Sequence, residues 1–192
     1  MDLARPEARS AFHGYRVSLG TLLSCALMGE LFQLTSEDLK RSIETSCNDL
    51  LGKRFQMAER YLKGYRPYEF VINMIRMKTP SPTGLKGRKE TILDYWDTLR
   101  DTCKSLVPSF EKLKTSLQEA GCPTEPVDLG LGREDIRASI VIASLIRNRY
   151  TVLDLMAETG LLESLTERVL AGKYFNLNSP QQRDTYRSIQ KR

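Results

Sequence analysis

One histidine, His13, is the scarcest chemically versatile side chain in this sequence. Metal centres, nucleophilic triads and imidazole proton relays draw on several His, Cys or carboxylate groups closing on one point. On spacing alone, His13 therefore reads as a surface or helix-start residue, and any catalysis needs groups from elsewhere. The four cysteines, Cys25, Cys47, Cys103 and Cys122, are too far apart in sequence for a C-x-x-C metal or redox pair. They are expected to be small buried hydrophobes.

The arginine pair Arg147 and Arg149 has the donor geometry for a substrate phosphate. It also stands where a helix is expected to end, and basic side chains there satisfy the last carbonyls and the negative end of the helix dipole. The structural role is the favoured one. Tyr150 and Thr151 read as a packed aromatic beside a helix cap. Lys78, Lys86, Arg88 and Lys89 fall in a stretch from 76 to 90 with Pro80, Pro82, Gly84 and Gly87, which reads as an exposed basic loop. That loop lacks interleaved aromatics of the kind that stack on bases, so nucleic acid is not the expected partner.

Elements that position these residues are helical almost throughout, with apolar residues returning every three or four positions. Ile92, Trp96, Leu99, Cys103 and Leu106 form one such stripe. Thr35 with Asp38 predicts a capped start, and Leu39, Ile43, Leu50, Leu51, Phe55, Ala58 and Leu62 continue as one long face that Gly52 interrupts or bends. Pro108 opens a helix buried through Phe110, Leu113 and Leu117, which Gly121 and Pro123 close. From Cys122 to Gly132 the chain reads as a loop. Ile136, Ile140, Val141, Ile142, Leu145 and Ile146 then describe a helix apolar on most sides, hence central. Thr151 with Asp154 repeats the capping spacing, Gly160 closes that short helix, and Leu161, Leu162, Leu165 and Val169 open the last. The expected fold is an all-α bundle of roughly seven or eight helices.

Length and charge agree with one domain. The chain has 192 residues, 41% hydrophobic and 28% charged, as in ordinary globular proteins. Residues 1–175 are expected to form the helical domain and 176–192 a polar tail. The net charge of +5 is mild and interleaved. No stretch is apolar enough for a membrane span and no signal-peptide layout opens the sequence, so the expected location is cytoplasmic.

Two segments go further than composition. Phe12-His13-Gly14-Tyr15-Arg16-Val17-Ser18-Leu19-Gly20-Thr21-Leu22 resembles the His-Gly-x-x-Val-x-x-Gly-Thr motif of the family containing glycerol dehydrogenases, iron-containing alcohol dehydrogenases and dehydroquinate synthases, although Tyr15 stands where Glu is common. Leu117-Gln118-Glu119-Ala120-Gly121-Cys122-Pro123, then Asp128-Leu129-Gly130-Leu131, then Ile146 through Leu155 and Glu158-Thr159-Gly160-Leu161-Leu162-Glu163, resemble in order the C-terminal end of sn-glycerol-1-phosphate dehydrogenases. The spacer with Arg88-Lys89, Ile92 and Trp96 is similar to the longer bacterial branch.

The resemblance implies the helical domain of a metal-dependent oxidoreductase that interconverts dihydroxyacetone phosphate and glycerol 1-phosphate with NAD(P)H. It places His13 at the last of three metal ligands, an Asp and two His, with the metal being nickel, zinc or iron. The other two ligands and the cofactor domain are expected from an N-terminal nucleotide-binding half that this sequence lacks, so the chain alone is expected to hold neither metal nor cofactor and to be inactive. The competing expectation is a non-catalytic helical module binding a protein or anionic partner through the basic loop, and self-association through a bare docking face is compatible with either.

Overall fold

A computed structural model describes residues 13–64 and 66–177 of the chain. These form ten α-helices and a 3-10 turn, with no strand among the described residues. In chain order they are α1 (His13–Leu31), α2 (Ser36–Thr45), α3 (Leu50–Leu62), α4 (Tyr68–Lys78), α5 (Pro82–Asp94), α6 (Trp96–Leu106), α7 (Phe110–Glu119), the 3-10 turn at Pro126–Leu129, α8 (Arg133–Leu145), α9 (Val152–Glu158) and α10 (Leu162–Leu170). The all-α expectation holds. No single described helix is long and apolar enough to cross a membrane. Phe12 and most of the expected polar tail lie outside the described residues.

The largest core gathers around α1, which has apolar residues on most of its circumference and buries Leu19, Leu22, Leu23, Cys25, Ala26, Leu27 and Leu31. It packs against α7 and α10. The single tryptophan, Trp96, is fully buried in the same cluster and donates its indole N–H to the Leu34 carbonyl at 3.1 Å. A second, smaller core joins Ala58 and Leu62 of α3 to Val71, Ile72 and Ile75 of α4. Helix α8 serves both: Ile136 and Ile140 enter the large core, and Ile142 and Leu145 the small one.

Local chemistry sets the boundaries. At α2, Thr35 and Asp38 form a reciprocal cap: the Asp38 N–H donates to the Thr35 hydroxyl at 3.1 Å and the Thr35 N–H donates to Asp38 at 3.0 Å. Helix α7 ends on Gly121, whose φ of 72° admits the two closing bonds, Gly121 N–H to the Gln118 carbonyl and Cys122 N–H to the Leu117 carbonyl, both 2.9 Å.

Four expectations are corrected. The long face from Leu39 to Leu62 belongs to two helices, because Asp49 caps a new start by accepting from the Gly52 N–H at 2.9 Å. Gly52 thus lies in a first turn, where a carboxylate at this distance leaves no room for a Cβ. The stripe through Ile92 and Leu106 is likewise split at Tyr95, and Leu99 and Leu106 are exposed while Trp96 turns inward. The cysteines are not uniformly buried: Cys25 is, Cys103 and Cys122 are half-buried, and Cys47 is exposed. Residues 76–90 are not an exposed basic loop. Lys78 ends α4, and Pro82 occupies the first turn of α5, where a missing N–H costs nothing, behind a Ser81 cap that accepts from Gly84.

Candidate functional site

Three buried charges meet where α3, α4 and α9 converge. Arg54, Lys78 and Asp154 have side chains that are almost entirely shielded from solvent. An Arg54 Nη2–H donates to Asp154 Oδ1 at 2.7 Å, and Lys78 Nζ reaches the same oxygen at 2.6 Å. The other carboxylate oxygen, Oδ2, accepts from the Thr151 N–H at 2.9 Å and the Thr151 hydroxyl at 3.0 Å. Asp154 therefore caps its own helix with one oxygen and holds two cations with the other.

Each of the two cations has a second partner. Arg54 Nη1–H donates to the Thr79 hydroxyl at 2.9 Å, and Lys78 Nζ donates to the Ser144 carbonyl at 2.8 Å, in the last turn of α8. One turn along α9, Glu158 is buried and accepts from Arg88 at 2.8 Å and from the Tyr150 hydroxyl at 3.0 Å. The Arg88 guanidinium also lies 5.4 Å from the centre of the Tyr150 ring. Lys89, beside it on α5, is buried and donates to the Ser46 hydroxyl at 2.7 Å. Three cations thus pair with two carboxylates, and the hydrogen-bond partner of the fourth, Lys89, is neutral.

Protonation follows from this enclosure. Burial lowers the basicity of Arg54, opposed by the attraction of Asp154. Burial likewise pulls Lys78 below the ordinary lysine value, against the hydrogen bond and charge of Asp154. Tyr150 is pushed upward, first by burial of its hydroxyl and then by the charge of Glu158, so it stays protonated and donates. Asp154 takes two donors on each oxygen and Glu158 one on each. The cluster ties α3, α4, α5, α8 and α9 to one another.

The sequence-derived candidates are distributed as follows. His13 lies exposed in the first turn of α1. Among the described residues no three His, Cys, Asp or Glu side chains gather as a metal-ligand set, so these residues by themselves do not fit a divalent cation. Arg147 and Arg149 are exposed beyond the end of α8. The Ser144 carbonyl, in the last turn of α8, is bound by Lys78, whose ammonium arrives from α4. Thr151 is a cap, as expected. Of the four basic residues placed on a loop, Lys78 and Lys89 point inward, Arg88 is anchored to Glu158, and Lys86 remains in solvent near Glu90 at 3.9 Å.

Arg54 and Glu158 did not stand out in the sequence, and Asp154 did so only as a helix cap, yet a signal for the buried cluster was there. Leu50, Arg54, Ala58 and Leu62 form one i, i+4 row, and the three apolar members are buried. A cation in such a row has to be buried with them, and a buried cation calls for an acid; Asp154 and Glu158, themselves i, i+4 on α9, supply it. The stretch Tyr150 to Glu158 furnishes both carboxylates. In comparisons with protein-family models, curated proteins and solved structures, nothing matches the chain.

Proposed function

We propose that this chain is the substrate- and metal-binding helical domain of an sn-glycerol-1-phosphate dehydrogenase-like oxidoreductase, working only with a nucleotide-binding half supplied by another polypeptide segment. One observation carries this reading. His13 is exposed in the first turn of the helix that forms the main core, with the apolar Val17 exposed one turn on. An imidazole and an apolar side chain fixed to a rigid element but facing outward suit a surface completed by another segment.

In this reading His13 contributes one ligand, and an Asp and a second His come from the other half. A divalent metal so held would polarise the carbonyl of dihydroxyacetone phosphate. This chain's own part is to hold His13 on α1, and α1 is fixed through its buried leucines. The Arg54–Lys78–Asp154 cluster sets how α3, α4, α8 and α9 pack. Arg147 and Arg149, exposed after α8, remain the candidates for contacting substrate phosphate.

The test is reconstitution. The 192-residue protein is mixed with a separately expressed nucleotide-binding half of the resembled family and a divalent metal, and NAD(P)H oxidation is followed with dihydroxyacetone phosphate. Turnover is expected only with both chains and is lost in His13→Ala. Turnover by the chain alone, no turnover with any such half, or activity indifferent to His13 would each overturn the proposal.

A further inference from the structure

Lys89 is only 7% exposed, and its ammonium has a single hydrogen bond, to a neutral hydroxyl. A buried ammonium ordinarily sits against a carboxylate, because removing it from water costs more than one neutral hydrogen bond returns. The charges that act on it from a distance are those of Cys47 and of Glu158, and Glu158 is hydrogen-bonded to Arg88 and Tyr150 instead.

Lys89 also lines a half-open cavity of about 510 Å³ between α5 and the end of α2. Its walls are apolar: Ile43 on one side, and Pro82, Leu85 and Leu93 on the other, with Asn48 as a further polar group. The two remaining charges at its edge, Lys86 and Glu90, face one another at 3.9 Å and largely cancel. A cavity in this size range, with apolar walls and one cation whose only hydrogen bond is to a neutral hydroxyl, has the composition of a small-molecule site.

We infer that this cavity binds an anionic amphiphile, its carboxylate or phosphate head on Lys89 and its alkyl chain along Ile43, Leu85 and Leu93. The head would occupy donor positions on the Lys89 ammonium that Ser46 leaves unused, and Asn48 adds a polar contact at the same mouth. Burial holds Lys89 below the ordinary lysine value, and an anion at this position would reverse that shift. The chain supplies the rest of the affinity by removing apolar surface from water. This cavity is separate from His13 and stands or falls independently of the dehydrogenase reading.

Calorimetric titration of the full chain, below the micelle concentration of each probe, tests the inference with octyl phosphate, octanoate, inorganic phosphate and octyl glucoside. Saturable one-to-one binding is expected for octyl phosphate, octanoate or both, and whichever is tighter identifies the head group. Inorganic phosphate is expected to bind about tenfold more weakly or less, since it lacks the chain, and octyl glucoside likewise, since it lacks the charge. Lys89→Met keeps the aliphatic stem and should weaken the octyl anion about tenfold or more. Equal binding of octyl glucoside, unchanged affinity in Lys89→Met, or no binding of either octyl anion would overturn it. Should Lys89→Met fail to fold, amide shifts in the unmodified protein decide: changes centred on Ile43, Asn48, Leu85 and Leu93 support the site, and changes elsewhere refute it.

Discussion

Asp154 carries more of this structure than any other single side chain. Its two oxygens take donors from α3, from α4 and from the residue that opens its own helix, in an environment where it is 1% exposed. Replacing such a buried ionic group by a well-packed apolar set is often harmless, but removing one partner leaves the others charged and dry. Asp154→Asn is therefore expected to cost about 3 to 5 kcal/mol in denaturant unfolding, since Arg54 and Lys78 lose their shared counterion. Lys78→Met should cost less, because Arg54 continues to neutralise Asp154. Equal effects would mean that the two cations are not sharing one acid. Glu30 provides the corresponding pH signal. Burial tends to raise its carboxyl, but hydrogen bonds from Lys173 at 2.8 Å and Tyr174 at 2.7 Å outweigh that and hold it below the ordinary 4.5. A carboxyl that is more acidic when folded contributes stability that is fully present above 4.5 and is lost as pH falls through its folded value. The melting-temperature gap between the unmodified protein and Glu30→Gln should accordingly narrow as the pH is lowered from 7 toward 3, and a constant gap would contradict this account of Glu30.

At the scale of elements, the short helix α9 is placed by its ends. Its C-terminal glycine, Gly160, has a φ of 79°, and a Cβ built there would lie 2.8 Å from the Cβ of Ser46 at the end of α2. The same junction is tied by the Ser42 hydroxyl, which donates to the Thr159 carbonyl at 2.7 Å. Gly160→Ala would meet both a left-handed backbone and a collision, so a loss of at least about 1 to 3 kcal/mol is expected from thermal or denaturant unfolding. A change within error would mean that α2 can withdraw from α9 freely. Caps of this kind were legible in the sequence, because Thr35 with Asp38, Thr151 with Asp154, and Gly121 and Gly160 each act through neighbours three or four residues away. What escaped was decided at long range. Residues 76–90 combine proline and glycine with lysine, which locally reads as loop, and only burial of Leu85 against other helices and the anchoring of Arg88 to Glu158 make α5 worthwhile. The cavity beside Lys89 was illegible for the same reason, since its walls come from two helices some forty positions apart in sequence. His13 was legible as the scarce residue, and its exposure in the first turn of α1 follows from its place ahead of the apolar run that begins at Leu19.

Across the whole molecule, two apolar clusters are coupled by one helix and one set of charges. Helix α8 contributes Ile136 and Ile140 to the large cluster and Ile142 and Leu145 to the small one, while Lys78 binds α4 to the last turn of α8 through the Ser144 carbonyl. Asp154, held by Arg54 and Lys78, ties α9 to α3 and α4. A core as small as that of α3 and α4 has too little apolar surface to be stable alone, so its persistence depends on this coupling. Leu145→Ala, at the fully buried end of α8, should cost about 2 to 5 kcal/mol, by lost burial and the cavity left behind. The location of the damage is the more telling expectation. Because Trp96 reports on the large cluster, its fluorescence should change with the helical circular dichroism in the unmodified protein, as one transition. In Leu145→Ala, and more so in Asp154→Asn, amide hydrogens of α3 and α4 should exchange through a separate, easier opening while those of α1 keep their protection. Uniform loss of protection over α1, α3 and α4 would instead show a single indivisible core, with α8 an ordinary member rather than the bridge between two.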